Sequence, residues 1–183
     1  MLDAAEALLR EGGVAAVTLS GVARAVGVSH QTVSYHFSSS SGLLERTMAR
    51  ALRSFNDQVI DAFDDGSANL PELMERFGAM LGDEGHAHAL AALIAAGYTP
   101  GDWAGTQVSI VEAFTSWAGT SVDTVQARRA VELILAYSLG MAVFGDHLRA
   151  ALGLAAPDPR YDREMSEWIA GLVAEGGEPA GGA

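Results

Sequence analysis

The chain has 183 residues, a formal net charge of −12, 49% apolar residues and no cysteine. That length and apolar fraction support a packed core rather than a disordered chain, and the missing cysteines rule out a disulfide framework and a thiolate metal site, in keeping with a cytoplasmic setting. No uninterrupted apolar run reaches the length of a membrane span, and the N-terminus reads as an amphipathic helix containing acids rather than a signal peptide, so no membrane partner is expected.

Helical periodicity dominates and strand signals are sparse, which predicts an all-α fold of about nine helices. The first is expected over Leu2–Glu11, with Leu2, Ala5, Leu8 and Leu9 on one face and Gly12-Gly13 ending it. Thr18 is a good N-cap for a second helix that turns Leu19, Val22, Ala23 and Val26 inward and closes at Gly27. Ser29 caps a third helix ending near Phe37, with Val33 and Phe37 on its buried face. The polar run Ser38–Ser41 breaks the chain before a long fourth helix to about Phe63, striped by Leu43, Leu44, Met48, Leu52, Phe55 and Val59. After the connector Asp64–Asn69, Pro71 suits the first turn of a fifth helix. A sixth covers about His86–Gly97, a seventh about Trp103–Ala118 and an eighth about Asp123–Leu152. The Pro157-Asp158-Pro159 break precedes a ninth, about Asp162–Glu175, and a Gly/Ala/Pro-rich tail.

A net charge of −12 argues at first against a nucleic-acid partner, but the charge is uneven. Residues 1–53 hold five arginines against four acids, a net of +1, and the remainder holds six arginines against nineteen acids. All eleven basic residues are arginine.

The informative segment is Thr18–Phe37, two short helices joined by a tight turn at Gly27-Val28-Ser29. That is the layout of a helix-turn-helix, whose second helix enters the major groove of DNA. The exposed start of that helix carries Ser29, His30, Gln31 and Thr32, followed by Ser34, Tyr35 and His36. Gln31 can pair bidentately with the N6/N7 edge of adenine, and Thr32 offers a hydroxyl to a base and a methyl to thymine. Ser34, Tyr35 and His36 can donate to phosphate oxygens, which positions the helix without reading sequence.

The run Val28-Ser29-x-x-Thr32-Val33-x-Tyr35-His36-Phe37, preceded by Ala23-x-x-Val26-Gly27 and followed by Gly42-Leu43-Leu44, resembles the DNA-binding domain of the tetracycline-repressor (TetR) family. The opening Leu2-Asp3-Ala4-Ala5, Leu8-Leu9 and Glu11-Gly12-Gly13 is similar to that family's first helix, so the likeness covers about residues 2–48. The resemblance implies a homodimeric, all-helical transcriptional regulator without enzymatic activity. Three N-terminal helices would hold operator DNA, and a divergent helical domain would sense a small molecule and form the dimer. The expected division is a helix-turn-helix domain over 1–45, a ligand-binding and dimerisation domain over 46–175 and a tail over 176–183. By position, His30, Gln31 and Thr32 would face bases, Ser34, Tyr35 and His36 the backbone or base edges, and Thr18 and Ser20 phosphates. Two departures stand out. Ser40 occupies the place of a phosphate-contacting lysine, and Ser34 that of a common aromatic. With a net of +1, a shallow salt dependence of DNA binding is expected.

In the C-terminal part, Trp103, Phe114, Trp117, Tyr137, Met141 and Phe144 are candidates to line a ligand cavity. Val131, Leu135, Leu139 and Val143 on the eighth helix, with small Gly140 and Ala142, and Trp168, Ile169 and Leu172 on the ninth, are candidates for a four-helix dimer interface. His86 and His88 are two apart, a spacing that does not share a helix face, so they are read as solvated or capping and no metal or other cofactor is expected. Two alternatives remain: a regulator of the same fold controlled by a protein partner or by no ligand, and, with least support, an enzyme on a helical scaffold, since no nucleophile or acid/base constellation stands out.

Overall fold

The computed structural model describes residues 1–82, 85–98, 102–118 and 124–154, together with Arg163, Glu164, Glu167, Trp168 and Gly171. Among the described residues eight α-helices and one 3-10 turn are delimited, and there is no strand. The helices are α1 (Leu2–Gly12), α2 (Leu19–Val26), α3 (His30–Phe37), α4 (Ser40–Asp64), α5 (Leu70–Gly82), α6 (His86–Ala95), α7 (Asp102–Ala118) and α8 (Thr124–Ala151). The 3-10 turn, Val14–Ala16, lies between α1 and α2 and has no counterpart among the elements expected from sequence. The expected ninth helix falls largely outside the described residues.

The chain divides into two compact units. The first contains Met1–Ser54 and Ala79–Trp103, and the second Phe55–Gly78 and the residues from Ala104 onward. Long helices α4, α5 and α7 each contribute to both.

The first unit is built on the short helices. Their bounds follow from capping: Thr18 Oγ1 accepts the Gly21 N–H at 2.9 Å, and Ser29 Oγ accepts the Thr32 N–H at 3.1 Å. Gly27, in the left-handed conformation at φ 72°, lets α2 stop and α3 start within three residues. Ala5, Leu9, Val22, Val33, Phe37 and Leu43 are buried where these helices meet the start of α4. Thr47 is buried among them and its hydroxyl donates to the Leu43 carbonyl at 2.8 Å, so no polar group is stranded there. The start of α6 packs close to α1, since a Cβ on Gly85 would lie 3.4 Å from the Leu9 carbonyl oxygen. His86, expected as a solvated or capping residue, is buried instead, and its Nδ1 donates to the Met80 carbonyl at 2.9 Å. His88 is exposed.

The second unit has a core of Val59, Phe63, Leu73, Ile110, Val111, Phe114, Ala127 and Ala130. Helix α8 is long and apolar, with a mean hydropathy of 1.3 over its most apolar window, of which only 11% is buried. Ala127, Ala130, Ser138 and Gly145 form its buried side, whereas Leu133, Phe144 and Leu148 are exposed. Those three, separated by about three turns and one turn, share one side of the helix.

Candidate nucleic-acid interface and internal cavity

Helix α3 presents its polar face to solvent because Val33 and Phe37 anchor the opposite one. Of the predicted DNA-facing residues, Thr18, Ser20, Ser29, His30, Gln31, Thr32, Tyr35 and His36 are exposed, and Ser34 is half-buried. Tyr35 is 86% exposed, far beyond what folding needs from a large aromatic side chain. Its ring meets His36 edge-on at 5.5 Å between centroids.

The caps bear directly on which groups remain for DNA. Ser29 and Thr32 hydroxyls share a hydrogen bond of 2.9 Å in addition to the cap itself, so Thr32 is held against the helix start. Gln31 and His30 carry no such constraint in their positions on the exposed face. The first turns of α2 and α3 also leave N–H groups and positive dipole ends beside these side chains, which suits phosphate.

The α3–α4 junction is tight. Ser38 adopts φ 58°, a left-handed conformation costly for a residue with a Cβ. It forms a γ-turn closed by the Ser39 N–H donating to the Phe37 carbonyl at 2.6 Å. Ser39 Oγ then caps α4 by accepting the Gly42 N–H at 3.0 Å. Helix α4 therefore begins at Ser40, inside the polar run expected from sequence to be a break. Ser40 Oγ accepts the Leu19 N–H at 3.4 Å, joining the starts of α2 and α4. Sequence reasoning missed these two serines as structural caps, although a serine three residues before Gly42 is a legible cap spacing.

The positive charge near this face is reduced further by folding. Arg50 on α4 reaches Asp3 at 2.6 Å and Glu6 at 2.8 Å on α1. Burial alone lowers its pKa, but hydrogen bonds to Glu6 and Asp3 outweigh that and hold the guanidinium above its ordinary value. Arg46 lies 5.7 Å from the centre of the Phe37 ring, a cation–π contact that braces the end of α3.

Residues 1–47 match the profile of "Bacterial regulatory proteins, tetR family". That N-terminal domain belongs to the TetR family. The match spans α1 to α3 and the start of α4, and α3 stands where a helix-turn-helix places its second helix. The fold as a whole is similar to that of the multidrug binding protein EbrR, solved as a complex with ethidium. The two share 23% identity and a TM-score of 0.57, over 92% of this chain and 94% of that one. It is also similar to BioQ of Mycobacterium smegmatis, at 20% identity and a TM-score of 0.53, over 95% of each chain. At these identities the likeness shows the fold. No curated protein sequence matches the chain.

The second unit holds a partly open cavity of about 60 Å³ between α4, α5, α7 and α8. Four phenylalanines line it, Phe55, Phe63, Phe77 and Phe114, with Asn56 and Met74 among the other walls. Phe55 packs on Phe77 at 4.9 Å, and Phe63 meets Phe114 edge-on at 5.6 Å. Of the predicted ligand residues, Phe114 faces the cavity, and Trp117 lies beside it against Phe63 at 5.3 Å. Tyr137 and Met141 are half-buried on α8, Phe144 is exposed, and the Trp103 side chain lies outside the described residues. Val131 and Leu135, read from sequence as dimer residues, line the cavity. Leu139 and Val143 are half-buried, Trp168 is exposed, and Ile169 and Leu172 lie outside the described residues. Among the described residues no group of three His, Asp or Glu side chains is placed to hold a metal ion.

Of the described wall residues only Phe114 was expected from sequence to face a ligand, and among those passed over Asn56 is the polar one. It is 2% exposed, and its Nδ2 has no hydrogen-bond partner. Leaving such a group unpaired in an apolar interior costs about 1–3 kcal/mol. Its place was legible, because Asn56 falls four residues after Leu52 and three before Val59, on the stripe that α4 buries.

Proposed function

We propose that this regulator is a cytoplasmic homodimeric repressor, released from its operator when a small molecule enters the cavity of the second unit. The observation that carries the DNA-reading half is the exposed face of α3, where His30, Gln31, Tyr35 and His36 are surrendered to solvent while Val33 and Phe37 fix the helix. His30, Gln31 and Thr32 read bases, and Thr18, Ser20, Ser34, Tyr35 and His36 engage the backbone or base edges, with Ser29 holding the helix start. The apolar pocket, with the unpaired Asn56 amide among its described wall residues, supports control by a ligand over control by a protein partner.

The exposed side of α8 supports the dimer. Leu133, Phe144 and Leu148 form an apolar strip that a second copy would cover as half of a bundle. In this arrangement Val131 and Leu135 serve the cavity, and Phe144 serves the interface. Ligand binding would favour a dimer whose two reading helices are wrongly spaced for the half-sites of the operator.

The test is specific binding to DNA upstream of the protein's own and neighbouring genes, measured at low salt by fluorescence anisotropy. Wild type should bind one fragment at least ten-fold more tightly than competitor DNA, and Gln31→Ala and Tyr35→Ala should each erase most of that preference. Absence of any sequence preference in the wild type would refute the reading.

A further inference from the structure

We propose that the cavity between α4, α5, α7 and α8 accepts a compact, uncharged, single-ring molecule bearing one hydrogen-bond acceptor, which the Asn56 carboxamide holds. The proposal rests on the reading above that this cavity is the effector site, and it names the chemistry of the effector.

Three features of the walls define the class. None of the described lining residues is ionisable, so a buried carboxylate or cation would meet no opposite charge. Four phenylalanine rings supply flat apolar surface suited to another ring. The single polar group among the described wall residues, Asn56, is buried with its Nδ2 donor unpaired. A pure hydrocarbon would leave that donor stranded, whereas a carbonyl or ether oxygen would accept from it once the carboxamide, whose Nδ2 is covered in this structure, turns toward the cavity. Size adds a bound. The cavity, about 60 Å³, is smaller than the roughly 150 Å³ void that takes up benzene. A single ring therefore enters by displacing a wall, and Met74, an unbranched and adaptable side chain, and Phe55, only half-buried, are the walls able to move.

The test is calorimetric titration of the full chain, without DNA, using four planar probes of equal size: acetophenone, its hydrocarbon isostere α-methylstyrene, benzoate and benzamidinium. Acetophenone should bind about ten-fold more tightly than α-methylstyrene, the worth of one neutral hydrogen bond. Benzoate and benzamidinium should bind on the order of 100-fold more weakly than acetophenone. In Asn56→Leu the ten-fold preference should vanish while α-methylstyrene still binds. A charged probe that binds as tightly as acetophenone, equal binding of ketone and hydrocarbon by wild type, or a preference that survives in Asn56→Leu would overturn the proposal. The wild-type series decides by itself if Asn56→Leu does not fold. Saturating acetophenone is then added to the protein–DNA complex found in the preceding test. Selective uptake without release of that DNA would overturn the effector reading and leave the ligand class standing.

Discussion

Gly42 is the position where a normally stabilising change should be harmful. Replacing a helical glycine by alanine gains up to about 1 kcal/mol by lowering the entropy of the unfolded chain and improving helix propensity. At Gly42 the added Cβ would lie 2.7 Å from the Phe37 carbonyl oxygen, a separation that real Cβ atoms essentially never show. That oxygen cannot simply retreat, because it also accepts the Ser39 N–H at 2.6 Å in the γ-turn at Ser38. Relief requires opening the α3–α4 junction, and overpacking of this kind costs about 1–3 kcal/mol. The net expectation for Gly42→Ala is a loss of about 1–2 kcal/mol, or a fall in Tm of about 3–6 °C for a chain of this size. Gly78 supplies the control. It sits within α5, where an added Cβ would meet nothing inside 4 Å, so Gly78→Ala should raise Tm by about 2–3 °C. Thermal unfolding followed by circular dichroism reads both. A Gly42→Ala protein that gains stability as Gly78→Ala does would refute the account of the junction.

Ser29→Ala removes the cap of the reading helix and the partner of the Thr32 hydroxyl, so stability should fall by about 1 kcal/mol and operator affinity with it, measured by urea unfolding and anisotropy on one preparation. Asp65 accepts hydrogen bonds from Ser67, which hold its carboxyl below the usual range. Because the folded pKa is the lower one, its stabilising contribution is present above the unfolded value and is lost as pH falls through the folded value. The stability difference between wild type and Asp65→Asn should therefore be constant near neutrality and shrink on acidification below about pH 4 in urea titrations. Gly140→Ala, on α8 with open space around it, should stabilise an isolated protomer by about 1 kcal/mol. If a second copy packs closely there, the same change should weaken self-association in sedimentation measurements.

The sequence made the first three helices legible almost to the residue, because each boundary is set by local chemistry: Thr18 and Ser29 cap, Gly27 reverses, and Val33 and Phe37 mark one face. The helix-turn-helix could be read for the same reason. The α3–α4 junction was less legible, since four consecutive serines look alike in sequence and only the Ser38 reversal shows that Ser39 caps and Ser40 is already helical. The second unit shows a different limit. On α8 an inward leucine and an outward leucine are the same letter, and Val131, Leu135 and Phe144 are assigned to cavity or surface by which neighbours pack against them. Periodicity locates the faces of a helix but not the element that each face meets.

Arg50 links the electrostatics of the reading domain to the proposed assembly. It is one of the five arginines that give residues 1–53 their net of +1, yet it is held by Asp3 and Glu6 and spends its charge on joining α1 to α4. Asp3 is exposed and Arg50 and Glu6 are partly buried, and pairs this open to solvent contribute modestly to stability, so the clasp serves chiefly to orient α1. What remains for DNA is a short face of hydrogen-bonding side chains with few cations beside it. Phosphate neutralisation normally supplies much of the affinity of a DNA-binding protein, and a single domain of this composition has little of it. Two reading helices held at a fixed spacing recover affinity through effective concentration rather than charge. In the proposed dimer the apolar strip of α8 and the weakly basic face of α3 would thus be parts of one requirement, because a reading head that grips mainly by hydrogen bonds needs a rigid partner more than a basic one does.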